Sequence, residues 1–266
     1  MIKNKLVFGI AGLFNKQDGF YRNEFNNASY DDQKGGQGNY YLNYQANSRL
    51  SVLFNLKHQL QLNKGAFPLR ASMFESFNKP FSVDQNSTTQ MRDRTLNSSL
   101  SVKYDHSDFA FVSQSSYQEN YRFYVDPIDG DFSANDIISV VNNYGNDFNK
   151  VKVATQEFRV SSPTGSLSPL AWQTGAYGFI QNNPVKQGTY FGDDAGMYGS
   201  PITNFTSINT NLGSGYGFAL FGQATYPLTS NLNLIAGIRY DYEHQKQSVK
   251  GEFLPNGGNA IVTQAD

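Results

Sequence analysis

The stretch "GYGFALFGQATYPLTSNLNLIAGIRYDYEH", residues 215–244, decides how the chain is read. Phe218, Leu220, Ala224 and Tyr226 fall on one face of a first run. After Leu228 and Thr229, Leu232, Leu234, Ala236, Ile238, Tyr240 and Tyr242 fall on the matching face of a second. The other face of that second run carries Asn233, Gly237, Arg239, Asp241 and Glu243. Side chains alternate sides along a strand, so a period of two predicts two antiparallel strands joined by a tight turn. One face is apolar and aromatic; the other is polar and charged.

The same unit recurs upstream. In residues 35–62, Tyr40, Leu42 and Tyr44 precede a turn at Ala46–Arg49, and Leu50, Val52, Phe54 and Leu56 follow it. Residues 95–117 repeat the pattern, with Leu96, Leu100, Val102 and Tyr104 ahead of Asp105–Asp108. Residues 154–180 form a further hairpin turning near Gly165. The turn centres, near Asn47, His106, Gly165 and Thr229, are thus spaced almost evenly. Between the hairpins lie long polar connections, at about residues 63–92, 126–149 and 182–214. Such lengths are uncommon in compact domains unless the loops are functional. The tail, "GEFLPNGGNAIVTQAD" (251–266), reads as another loop.

The opening, "MIKNKLVFGIAGLFNKQDG" (1–19), has two readings. Lys3 and Lys5 ahead of an apolar run resemble the start of a secretory signal. No small-x-small cleavage site follows Phe14, however, and Gly9 and Gly12 weaken a signal helix. Leu6, Phe8, Ile10 and Phe14 share one face at period two, which predicts a strand.

Composition limits the class. The 266 residues include 17 Tyr and 21 Phe, only 16% charged residues and no cysteine. Mean hydropathy is −0.51. A net charge of −1 argues against nucleic acid as a partner. Without cysteine there is no disulfide and no thiolate chemistry, and His58, His106 and His244 are too far apart in sequence for a metal-ligand spacing. No G-x-S-x-G elbow orders a nucleophile. We expect no catalytic, cofactor or metal site. Aromatic, polar and weakly charged composition suits strands that face lipid on alternate residues. Short turns alternating with long loops suit periplasmic turns and extracellular loops. The expectation is an all-β, antiparallel up-and-down transmembrane β-barrel, present in part, with about nine or ten strands.

Four segments carry a family resemblance: "NKQDGFYRN" (15–23), "TQEFRVSSP" (155–163), "LAWQTGAYGFIQ" (170–181) and above all residues 215–243. They resemble the barrel of TonB-dependent outer-membrane receptors. The resemblance implies a barrel of ~22 strands around an N-terminal plug. It places residues 1–266 within the barrel domain, with the plug and the C-terminal strands absent. It also implies uptake of a ferric siderophore, cobalamin or a glycan, energised through TonB in the outer membrane of a Gram-negative bacterium. The expected partners are outer-membrane lipid, the plug, the remaining strands and, through the plug, TonB. The hairpin pattern alone also allows a passive porin or an adhesin.

Two sets of residues are candidates. Glu157 and Arg159 lie one strand period apart, as do Arg239, Asp241 and Glu243, so each set faces one way. They hold a plug or line a ligand path, or they are the polarity any barrel lumen carries. Arg70, Arg92, Arg94, Tyr117, Tyr121, Arg122 and Tyr124 lie near loops and strand ends. There they grip an anionic chelate or stack on an aryl group, or they form an aromatic girdle. "DPIDGD" (126–131) lacks the acid spacing of a calcium loop and reads as a surface turn, as does "DDAG" at Asp193.

Overall fold

The structure is a computed structural model that describes residues 5–163 and 168–265. Lys3 and the turn near Gly165 lie outside the described residues. In chain order the strands are β1 (Leu6–Gln17), β2 (Arg22–Asn23), β3 (Ala28–Ser29), β4 (Gln33–Gln45) and β5 (Leu50–Lys64). After the short helix α1 (Met73–Asn78) come β6 (Ser82–Val83), β7 (Gln90–Asp105), β8 (Ala110–Tyr124), β9 (Ile128–Asp129) and β10 (Ile138–Val141). The last five are β11 (Lys150–Ser161), β12 (Ala171–Phe191), β13 (Phe205–Thr229), β14 (Leu232–Pro255) and β15 (Ile261–Ala265).

The long strands form one antiparallel sheet in the order β1-β4-β5-β7-β8-β11-β12-β13-β14-β15, with β9 and β10 attached beside β12. A second, three-stranded sheet, β3-β2-β6, lies apart. Register confirms the two faces. One row crosses the sheet through Leu6, Tyr44, Val52, Val102, Ser113, Phe158, Ala176, Leu220 and Tyr240. The adjacent row on the opposite face runs through Asn43, Leu53, Ser101, Gln114, Glu157, Tyr177, Ala219 and Asp241. A one-residue slip anywhere would exchange the faces, so the alternation itself fixes the pairing. The apolar face is largely uncovered: Ile238 is 80% exposed and Phe14 72%.

The main sheet is open. Among the described residues β1 pairs only with β4, and the far edge of β14 carries only β15, from Lys250 to Phe253. The expected up-and-down transmembrane β-barrel is therefore corrected to an all-β architecture of two separate sheets, the large one antiparallel and the small one with a parallel β2–β6 pair, neither closed on itself. Closure requires the two edge strands to exchange ladder hydrogen bonds. Alternating faces with short and long connections arise in any antiparallel meander, so they do not establish closure.

Two further expectations fall. Most of 182–214 is strand: β12 and β13 stay paired from Ala171–Thr225 to Phe191–Phe205. Pro184 stands inside this ladder, opposite Leu212. It sits where β12 has already left β11, whose last pair is Lys152–Asn182, and has not yet met β10, which begins at Gly188. A residue without an N–H is tolerated at such a gap. The tail is also not a loop, because β14 continues to Pro255 and turns back as β15. The opening is a strand, β1, as its alternation predicts. The turns at Asn47, His106 and Thr229 stand where expected, between β4 and β5, β7 and β8, and β13 and β14.

Candidate ligand-binding face and loop cap

The polar face gathers one candidate set. Glu157 pairs with Tyr177, Tyr177 with Ala219 and Ala219 with Asp241; Arg159, Gly175, Phe221 and Arg239 form the next row. Glu243 lies one strand period beyond Asp241, so all five predicted residues share this face. Arg159 Nη2 donates to Glu157 Oε1 at 2.5 Å. Arg239 grips Asp241 with two nitrogens, Nε at 2.9 Å and Nη2 at 2.7 Å, and its guanidinium lies 5.8 Å from the Phe221 ring centre. Gln245 donates to Glu243 at 2.6 Å. Every charge in the row thus has a partner on its own strand, one period away. A shallow groove beside Arg239, Asp241 and Glu243 is also lined by Val153, Tyr177, Phe179 and Gln181.

Register divides the second set. Arg92, Arg94, Tyr117 and Tyr121 stand on the face of Leu100 and Val102; Arg122 and Tyr124 stand on the polar face with Glu157. Arg122 is held by Asp93, with Nε at 2.8 Å from Oδ2. The same carboxylate accepts from Asn120 at 2.7 Å. Tyr121 is buried beneath the 142–149 segment. Its hydroxyl donates to the Gly145 carbonyl at 3.2 Å, its ring stacks on Phe123 at 4.6 Å, and the Lys150 ammonium lies 4.9 Å from the ring centre. Arg94 is exposed and Arg92 half-buried. Arg70 is only 7% exposed and sits among carboxylates, 3.1 Å from Glu24, 3.6 Å from Glu75 and 3.9 Å from Asp84. The Lys79 ammonium, helped by Arg70, holds the Glu24 carboxyl below the usual carboxylate range.

What the sequence did not disclose is the core that Arg70 belongs to. The loops at this end of the sheet are knitted into a cap. Asn23 is fully buried; its amide donates to the Gln85 carbonyl at 2.7 Å and Thr88 Oγ1 at 3.0 Å, and its oxygen accepts from the Gln85 N–H at 3.0 Å. Gln85, 1% exposed, donates to the carbonyls of Phe67 and Leu69 at 2.8 and 2.9 Å and accepts from the Tyr30 hydroxyl. Burial pushes the Tyr30 phenol up. Loop 18–32 is thereby fixed to loop 65–89.

Loop 65–89 is fixed in turn to 125–149. The Asn86 N–H donates to Asp129 Oδ2 at 3.1 Å, and the Asn86 amide to the Asn135 carbonyl at 2.6 Å. Loop 125–149 reaches 192–204 through Asp136, whose N–H donates to Asp194 Oδ2 at 3.0 Å. The expected surface turn at 126–131 is corrected here: Asp129 and Asp131 are 2% and 4% exposed. Their oxygens accept backbone N–H groups, Asp129 from Phe132 at 2.5 Å and Asp131 from Ile137 and Ile138 at 3.2 and 3.0 Å. Burial and the neighbouring Asp131 push the Asp129 carboxyl up to about 7. The aspartates are turn formers in sequence; nothing in their spacing marks them as buried. Asp193 is exposed, as a surface turn should be, and accepts from Asn204 at 2.7 Å.

A profile of the TonB-dependent receptor-like β-barrel family matches residues 20–262. The chain belongs to this family, which is a receptor class and not a catalytic one. Among solved structures, the ferric yersiniabactin uptake receptor FyuA of Yersinia pestis superposes with a TM-score of 0.71 at 15% identity, over 100% of this chain and 39% of that one. The ferric-catecholate import receptor Fiu of E. coli K12, in its closed form, matches at a TM-score of 0.43 and 8% identity, over 95% of this chain and 44% of that one. The first likeness establishes a shared fold. The chain spans about two fifths of the length of these receptors.

Proposed function

We propose that the chain is a segment of an outer-membrane receptor of a Gram-negative bacterium. The intact receptor takes up a ferric siderophore or a similar large, scarce ligand, with energy drawn through TonB by way of a plug domain. The family match over residues 20–262 carries this reading. The cap supports it: four loops held together at one end of the sheet form a preorganised rim, which lowers the ordering cost of binding. In this reading Arg122 and Tyr124, at the cap end of the polar face, contact an anionic chelate. Glu157, Arg159, Arg239, Asp241 and Glu243 line its path or hold the plug. Arg92, Arg94 and Tyr121 lie on the other face, and Arg70 serves the cap.

Deletion of the gene in its own host tests this, with uptake of iron-55 measured for a panel of ferric chelates under iron limitation. The reading predicts a loss of at least tenfold for one chelate class, and the same loss in undeleted cells treated with a protonophore. Unchanged uptake of every chelate, or uptake that survives the protonophore, overturns it.

A further inference from the structure

The apolar face carries a feature that ligand uptake does not use, at the cap ends of β1, β4 and β5. Successive rows there read Lys16–Lys34–Leu62, Phe14–Gly36–Leu60 and Gly12–Gly38–His58. Neighbouring strands are ~4.8 Å apart, so Phe14 and Leu60 flank Gly36 as two walls ~10 Å apart. A Cβ at Gly36 would meet nothing closer than 3.9 Å, and one at Gly12 nothing closer than 3.7 Å. The floor is therefore open backbone. One end of the trough is closed by Tyr40 stacked on His58, ring centres 5.6 Å apart, above Gly38. Ile10, Phe14, Leu60 and Leu62 line the trough.

The other end opens onto lysines. Lys16 and Lys34 stand directly opposite each other. Like charges in that relation repel and destabilise a sheet. Lys64 lies beside them in the same hollow, with Asp18 and Asp32. The two carboxylates are partly committed. Asp18 lies 3.2 Å from Lys16, and Asp32, 3.7 Å from Lys64, also accepts the Ser29 hydroxyl and the Gly19 N–H. Lys34 has no carboxylate partner within 4 Å among the described residues. The hollow is net positive and the trough is apolar, and they adjoin end to end.

We propose that this trough binds one lipid with a phosphate headgroup, its acyl chain over Gly36 between Phe14 and Leu60 and its phosphate among Lys16, Lys34 and Lys64. An anion between Lys16 and Lys34 removes their repulsion, and the acyl chain lies along apolar side chains, Phe14 72% and Leu60 39% exposed, that no other described residue covers. The site is independent of which ligand the receptor imports.

Native mass spectrometry of the full chain in a non-ionic detergent tests it, titrating phosphatidic acid against phosphatidylcholine of the same acyl length. The wild-type chain retains one phosphatidic acid at least tenfold more readily than phosphatidylcholine. Replacing all three lysines by glutamine (K16Q, K34Q, K64Q) abolishes that preference. G36L, which fills the trough, weakens retention of phosphatidic acid while leaving the lysines in place. The lysine variant lies at exposed or half-exposed positions, so it stays interpretable if G36L folds poorly. Equal retention of both lipids, no retention of either, an unchanged preference in the lysine variant, or displacement by millimolar inorganic phosphate overturns the proposal.

Discussion

The long strands and the loops that cap them are stabilised in opposite ways. On the sheet, backbone ladders do the holding, and side chains stand exposed on both faces from Phe8 to Tyr242. In the cap regular structure is limited to short pieces, β2, β3, β6, β9, β10 and α1, yet Asn23, Tyr30, Val83 and Gln85 are the largest fully buried side chains described. The four largest fully buried side chains thus lie in the cap, although Tyr121, Phe123 and Ala219 are buried on the long strands and Phe74 and Phe77 stand exposed within the cap. Buried amides and carboxylates cost stability unless each finds its hydrogen bonds. In the cap they find them across loops: Asn23 with Gln85, Asn86 with Asp129, Asp136 with Asp194. A rim built this way is specific in shape.

The contrast can be broken at its strongest point first. Tyr30→Ala removes a ring that is 1% exposed and leaves the Gln85 oxygen without its donor. A loss of about 3–5 kcal/mol is expected for a buried aromatic of this size, read as accelerated proteolysis within 65–89. Cleavage at the wild-type rate would show that the cap is not a core. Gly65→Ala comes next. Gly65 has φ +74°, and a Cβ there would stand 2.5 Å from the Tyr30 carbonyl oxygen. The expected cost is about 1–3 kcal/mol, from the strained backbone conformation alone.

Asp129 gives the cap a pH dependence. In the native chain its carboxyl keeps a proton up to about 7, against 3.8 for the free group. Between those values the folded state binds more protons than the unfolded one, so cap stability falls as pH rises from about 4 to 7 and levels off above. Asp129→Asn flattens this slope; thermal melts of the cap at pH 5 and pH 8 in both chains measure it, and equal slopes would refute the assignment. The smallest effect belongs to the sheet. Arg159→Ala breaks an ion pair whose partners are 45% and 28% exposed. About 0–1 kcal/mol is expected, and a loss above 2 kcal/mol would mean that the polar face is covered.

What was legible in the sequence follows from this division. Alternation is a local signal, so β1, the hairpin turns at Asn47, His106 and Thr229, and the shared face of Glu157, Arg159, Arg239, Asp241 and Glu243 could all be read in advance. Closure could not, because whether β1 meets another edge is a property of two strands far apart in sequence. The far ends of β12 and β13 fell within the polar stretch 182–214, yet their ladder runs unbroken from Ala171–Thr225 to Phe191–Phe205. Arg70 and Asp129 were misplaced for one reason: burial in the cap depends on contacts such as Asn23–Gln85, more than sixty residues apart. Polarity at a single position carries no trace of that.

Amide hydrogen exchange on the purified chain tests the central contrast most directly. The account predicts that Gln85, Asn86, Ile137 and Ile138, whose N–H groups are held by Asn23, Asp129 and Asp131, exchange as slowly as amides in the middle of β12 and β13. Exchange of those four at the rate of an unprotected loop, with β12 and β13 still protected, would contradict it.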